Sequence, residues 1–224
     1  MCGRFSLTIE LDQLIERFQI EQTRIEDYIP RFNIAPSQQV PVVINADQMN
    51  RLGTLRWGLI PFWAKDPSIS NKLINARSET AHEKASFKHA LKKRRCLILS
   101  DGFYEWKRTK DRKIPMRIQV NHGEPFAMAG LWEKWKDGEE VIYTCTILTT
   151  MANELMEEIH NRMPVILTKE MEDVWLNPDI DDLEQLKECM KSYPSEKMNT
   201  YEVSTLVNSP RNEEADCIVP IESM

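Results

Sequence analysis

The sequence predicts an α+β fold, a single domain over residues 1–224 with a central, largely antiparallel, barrel-like β-sheet and peripheral helices. Three observations lead there. Short apolar and β-branched segments recur along the chain, bounded by turn residues. Helical patterns fall between them irregularly and do not alternate as βαβ units. At 224 residues the chain is long enough to bury one sizeable core, and no repeat, low-complexity tract or Gly/Ser linker divides it.

Taken in order, Thr8 to Phe18 carries apolar residues at Ile9, Leu11, Leu14, Ile15 and Phe18, a helical spacing behind a Thr cap. Gln39 to Asn45 and Leu52 to Trp57 read as strands flanking a polar turn. Ser78 to Lys92 reads as a helix with one polar face. Cys96 to Ser100, Met116 to Val120, Phe126 to Leu131 and Val141 to Thr149 read as strands. Ala152 to His160 is a short helix with a strand at Pro164 to Leu167 behind it. Leu183 to Ser192 reads as helical, and Asn199 to Thr205 as a late strand.

Composition narrows the function classes. The chain is 42% hydrophobic and 29% charged, a globular balance, and no run of 18 apolar residues predicts a membrane span. The N-terminus lacks the basic region and apolar stretch of a signal peptide. The five cysteines (Cys2, Cys96, Cys145, Cys189, Cys217) form no CxxC pair, so free thiols in a reducing, cytoplasmic compartment are expected. His82, His89, His122 and His160 lack zinc-site spacing, so neither a metal nor another cofactor is expected. The net charge of −6 argues at first against nucleic acid. Its distribution argues the other way. Residues 72–118 hold 14 Lys and Arg against 5 Asp and Glu, while the rest of the chain holds 15 against 30. A basic stretch in an acidic protein is the footprint of a phosphate-binding face, although solvated surface alone also produces such runs.

The first five residues, Met1-Cys2-Gly3-Arg4-Phe5, carry the sharpest chemistry. Removal of Met1 would leave Cys2 with an α-amine and a thiol on adjacent carbons. An α-amine titrates near pKa ~8, well below the ~10.4 of lysine, so part of it is neutral at neutral pH. That amine attacks an aldehyde, and the thiol then closes a five-membered thiazolidine ring. Other segments are unusually mixed. Arg31-Phe32-Asn33-Ile34-Ala35-Pro36 sets polar groups beside apolar ones, and Arg56-Trp57-Gly58-Leu59-Ile60-Pro61-Phe62-Trp63 packs two Trp, a Gly and a Pro into one bend. In Asn75-Ala76-Arg77-Ser78-Glu79 an amide and a guanidinium two residues apart share one side of an extended segment. Gly102-Phe103-Tyr104-Glu105-Trp106 embeds a carboxylate among aromatics, where desolvation disfavours its charge and suits it to proton transfer. His160-Asn161-Arg162-Met163-Pro164 sets an imidazole beside an arginine.

With Ala129-Gly130-Leu131-Trp132 and Val207-Asn208-Ser209, these blocks resemble, in order and over nearly the whole chain, the SRAP family of SOS-response-associated peptidase or abasic-site processing proteins. The resemblance implies a protein that recognises abasic sites in single-stranded DNA and traps them covalently. It implies Cys2 as nucleophile, Glu105 as the group that orients or deprotonates its amine, and His160 as the group that moves protons at the sugar. It implies Asn75 as a hydrogen-bond donor to the sugar or the Cys2 backbone, and Arg4, Arg77 and Arg162 as phosphate contacts. Trp106, with Trp63 or Leu59, is implied to stack on bases or wedge them apart. A Schiff-base stage further implies a lyase side activity. The peptidase label leaves two routes for loss of Met1, self-removal by Cys2, His160 and Glu105 or removal by a host aminopeptidase, and the sequence does not decide between them. The expected partner is abasic single-stranded DNA, with the protein a monomer.

Two other readings remain at this point. N-terminal-nucleophile glutamine amidotransferases also begin Met-Cys-Gly, but they use an Asn-Gly pair, and this chain has none. A DNA- or chromatin-binding reader without chemistry would keep its function after loss of Cys2.

Overall fold

Alternating side chains and tight turns build the larger of two sheets. In the computed structural model, which describes residues 2–221, the strands are β1 (Phe5–Leu7), β2 (Gln22–Thr23), β3 (Arg31–Ile34), β4 (Gln39–Ala46), β5 (Met49–Trp57), β6 (Asn75–Arg77), β7 (Arg95–Ser100), β8 (Gly102–Arg108), β9 (Lys113–Val120), β10 (Phe126–Asp137), β11 (Glu140–Met151), β12 (Arg162–Pro164), β13 (Ile166–Leu167) and β14 (Met198–Glu202). The helices are α1 (Leu11–Arg17), α2 (Lys88–Lys93), α3 (Glu154–Glu157), α4 (Lys169–Leu176) and α5 (Leu183–Cys189). The class is α+β, as expected.

Two hairpins set the register. Ala46 pairs with Met49 across Asp47-Gln48, both at positive φ, the backbone a two-residue turn requires and one that Asp tolerates. Asp137 pairs with Glu140 across Gly138-Glu139, with Gly138 at φ 56°. The nine-stranded sheet runs β12-β11-β10-β7-β4-β5-β2, with β13 beside β10 and β6 beside β11, and β11 also pairs with β5 in parallel at Thr144–Arg56 and Cys145–Trp57. That second pairing closes β11, β10, β7, β4 and β5 into a ring, the barrel-like element. The five-stranded sheet, β14-β9-β8-β1-β3, is antiparallel throughout. Both sheets bury side chains in one cluster that includes Cys2, Phe5, Trp57, Leu97, Phe103, Ile118 and Leu148. Phe5 lies against Trp57 at a ring separation of 5.2 Å, and burial of such a side chain stabilises by about 1.5–3 kcal/mol.

The helices depart from the sequence reading in three places. Thr8 does not cap α1, because its backbone N–H and hydroxyl both go to the Asp101 carboxylate. Ser78 to Lys92 is not one helix. Its first ten residues form turns, with Ser78 N–H held by the Thr149 carbonyl at 2.9 Å, and only Lys88–Lys93 is helical. The helix α4 was not foreseen. Its Glu172 is buried and binds Arg17 of α1 through two hydrogen bonds of 2.8 and 2.9 Å. Arg95 ends α4 by donating to the Trp175 carbonyl at 2.6 Å and to the Asn177 carbonyl, a cation at a helix C-terminus. Among the described residues no helix is long and apolar enough to cross a membrane.

Candidate active site and nucleic-acid interface

The strand β1 delivers Cys2 to the site. It pairs with β8 on one side (Phe5–Phe103, Ser6–Gly102) and with β3 on the other (Phe5–Ile34). The ladder extends one step further, with Tyr104 N–H donating to the Arg4 carbonyl at 2.9 Å. Behind it lies a buried ion pair, Arg117 with Asp101 at 3.1 Å, which also takes in the Ser6 hydroxyl. Gly102 is required there, since a Cβ would lie 2.8 Å from Arg117 Nε. So a Gly, two charges and a Ser fix the strand that follows Cys2.

Cys2 is fully buried, and its carbonyl accepts a 2.8 Å hydrogen bond from Asn75 Nδ2. Burial first, and the Glu105 carboxylate second, push the Cys2 thiol up to about 12. Glu105 itself is only 4% exposed, on β8. With Trp106, Arg108, Lys113, His160 and Asn208 it lines a cavity of about 410 Å³. His160 ends the turn after α3, its N–H held by the Met156 carbonyl at 2.8 Å. Its Nδ1 faces the Arg162 backbone, 3.0 Å from the N–H and 3.3 Å from the carbonyl, which holds the ring in place. A second cavity, about 380 Å³, opens on the ring between β5 and β11, but no Cys, His, Asp or Glu lines it.

Asn75 and Arg77 do share one side of an extended segment. In β6 the intervening Ala76 is buried, while Asn75 turns to Cys2 and Arg77 is exposed. The other two arginines expected on phosphates are committed to the protein. Arg162 is 8% exposed and grips Glu79 with both NH groups at 2.6 and 2.9 Å, as well as the Thr149 carbonyl at 2.6 Å. Arg4 is 8% exposed, its NH1 donating to Asn33 Oδ1 at 2.7 Å and to the Val207 carbonyl at 2.6 Å. Its guanidinium lies 5.9 Å from the Trp106 ring centroid.

Asn33 explains the mixed polarity of its segment. Fully buried, it donates through Nδ2 to the carbonyls of Ser209 at 2.9 Å and Asn212 at 2.8 Å, tying residues 205–212 over the site. From that strap Asn208 Oδ1 accepts from Trp106 Nε1 at 2.7 Å, which fixes the indole at the cavity wall. Trp63 is 48% exposed and available for stacking, whereas Leu59 is fully buried and is not. Met1 lies outside the described residues. Asn208, Arg108 and Lys113 were not singled out as cavity residues in the sequence. The first lay in a quoted block and the other two in the basic stretch, but nothing local aimed them at Glu105. Among the described residues no group of three or more His, Cys, Asp or Glu is arranged to hold a metal ion.

Known proteins are similar to this chain in both sequence and fold. A structure from Bacteroides thetaiotaomicron is similar at a TM-score of 0.90 and 28% identity, covering 99% of this chain and 100% of that one. "Abasic site processing protein YoqW" of Bacillus subtilis (strain 168) is 53% identical over 221 residues, 97% of this chain and 99% of the relative. "Abasic site processing protein HMCES" of Gallus gallus is 35% identical, covering 99% of this chain and 78% of the relative. The family described as SOS response associated peptidase (SRAP) matches residues 1–210, and the chain belongs to that family.

Proposed function

We infer that this protein processes abasic sites in single-stranded DNA by trapping their ring-opened aldehyde on Cys2. The observation that carries the reading is a shared carboxylate. Glu105 acts on the buried Cys2 thiol and also walls the cavity that His160 lines. Asn75 holds the Cys2 carbonyl, so the nucleophile has a fixed orientation before substrate arrives.

The sequence of steps follows from which group is reactive. A thiol raised to about 12 holds almost no thiolate at neutral pH, so the α-amine exposed by Met1 removal attacks first. His160 assists opening of the sugar ring to the C1′ aldehyde by moving a proton at the ring oxygen. The amine nitrogen adds to C1′, and loss of one water leaves a Schiff base. The Cys2 sulfur then adds to C1′ while its proton passes to Glu105, and the ring nitrogen takes up a proton. Amine, thiol and aldehyde thus become a thiazolidine and one water. While the Schiff base lasts, loss of the C2′ proton expels the 3′ phosphate, which is the lyase side activity. Self-removal of Met1 by the same three side chains remains a secondary reading, and it asks the thiol to react once.

Relatives named for abasic-site processing support the substrate class. Arg77 supplies an exposed phosphate contact, and Trp106 supplies a fixed aromatic face. The test is a denaturing gel of the protein with a single-strand oligonucleotide carrying one abasic site. A stable adduct is expected with wild type, none with intact DNA and none with Cys2→Ala beyond a weak, borohydride-trappable species from its surviving amine. A full yield of stable adduct from Cys2→Ala would refute thiazolidine closure. Glutamine hydrolysis by the purified protein would favour the amidotransferase reading instead.

A further inference from the structure

The hairpin of β8 and β9 carries a cluster of charge that the trapping chemistry leaves unused. Residues 107–113 read Lys-Arg-Thr-Lys-Asp-Arg-Lys, five cations to one anion. Arg108 and Lys113 are directly opposite each other in the ladder, and like charges in that position are destabilising. Two other cations of the hairpin have acidic neighbours, Lys107 with Glu158 at 3.5 Å and Arg112 with Glu202 at 4.0 Å. Among the described residues neither Arg108 nor Lys113 forms an ion pair, although both are exposed and reach the cavity shared by Glu105 and His160.

The hairpin is built to hold this arrangement. Thr109 N–H donates to the Arg112 carbonyl at 2.9 Å, and the Thr109 hydroxyl accepts from Arg112 N–H at 3.1 Å, so the turn is closed by its own bonds. Side chains alternate along β8, so Trp106 and Arg108 face the same way, and in the ladder they stand opposite Pro115 and Lys113. One face of the hairpin therefore presents a fixed indole followed by two cations. That is the order a single strand needs, a base on the ring and its backbone phosphate beyond. Arg77 lies on β6 of the other sheet, two residues after Asn75, which holds the Cys2 carbonyl.

We propose that residues 107–113 form a phosphate-binding arm in which Arg108 and Lys113 hold the backbone of a single DNA strand beside the abasic sugar. The arm explains why evenly matched cations sit at an open cavity. A polyanion between them relieves their repulsion and replaces the missing acids. The proposal deepens the trapping reading and rests on its substrate class, but its test does not need the crosslink.

The experiment measures affinity of the full chain for an undamaged single-strand oligonucleotide as salt is raised. Arg108→Ala with Lys113→Ala should shallow the slope of log affinity against log salt by ~0.7 for each phosphate lost, about a fivefold weakening per contact near 0.1 M salt. Lys187→Ala on α5 removes a charge far along the chain and should leave the slope unchanged. An unchanged slope in the double variant overturns the arm, as does an equal loss in Lys187→Ala, which would make the effect one of net charge. A slope lost in the double variant, in a protein whose wild type forms no stable adduct, would retain the arm and reject the trapping chemistry. A wild type that binds no single strand would overturn both.

Discussion

Cys2, just ahead of β1, and Glu105, on β8 of the five-stranded sheet, are 0% and 4% exposed, whereas Arg77 stands on β6 of the nine-stranded sheet and is open to solvent. The first region is anchored by buried polar groups: Asp101 with Arg117, Ser6 and Thr8, and Asn75 on the Cys2 carbonyl. The second ends in a guanidinium reaching into water. On the proposed function, the difference separates two tasks. Bond making needs groups withheld from water, where a thiol stays protonated until a neighbouring carboxylate takes its proton. Recognition of a phosphate backbone needs charge that water and salt reach, because displaced counterions drive the binding. The two regions should therefore fail differently when altered.

The largest effect belongs to the buried side. Glu105→Gln and His160→Ala should each slow adduct formation by ~10²–10⁴-fold, the usual contribution of a positioned acid or base, with affinity for undamaged strands unchanged. Rapid-quench kinetics would read this directly. The pH dependence carries a sign. Burial, the larger cause, keeps the thiol raised even without the Glu105 carboxylate, so in the variant the thiolate fraction rises steeply with pH. The deficit of Glu105→Gln relative to wild type should shrink between pH 7 and pH 9, while the amine titrates in both proteins and cancels from the ratio. A deficit that is constant across that range, or absent, removes Glu105 from proton transfer.

The next effect is on stability rather than chemistry. Arg117→Met leaves Asp101 buried with its Ser6 and Thr8 donors but without its cation, and breaking such a pair costs about 3–5 kcal/mol. Chemical denaturation should show that loss. The folded fraction should still bind undamaged strands with wild-type affinity and salt slope, because no phosphate contact is assigned to this pair. Unchanged stability would mean that β1 is held by its ladder and Phe5 alone.

These regions were unequally legible in the sequence. Alternation and turn residues placed the long strands of the ring, and the two-residue spacing placed Asn75 and Arg77 on one side, because both signals are local. The commitments of Arg4 and Arg162 were not legible. Their partners, Val207 and Glu79, lie 203 and 83 residues away, so two arginines that read as phosphate contacts proved to be internal ties. The turns of 78–87 were missed for the same reason, since Ser78 N–H answers to Thr149 and Glu79 to Arg162. The helix α4 was hidden by its own charges. Lys169, Glu170, Glu172 and Asp173 obscure an apolar face completed by Trp175, and the burial of Glu172 depends on Arg17 of α1.

The smallest expected effect, at Arg77, tests the exposed side of the comparison. Arg77→Ala removes one cation that the protein does not otherwise employ in an ion pair among the described residues, so the fold should be untouched. Binding to damaged and undamaged single strands should weaken alike, by about fivefold near 0.1 M salt, with the log–log slope shallower by ~0.7. Adduct formation at saturating DNA should proceed at the wild-type rate, since the buried side remains intact. A selective loss for abasic DNA with an unchanged salt slope would place the Arg77 guanidinium on the sugar instead of a phosphate. The exposed strand would then share in the chemistry, and the division between the two sheets would fail at this residue.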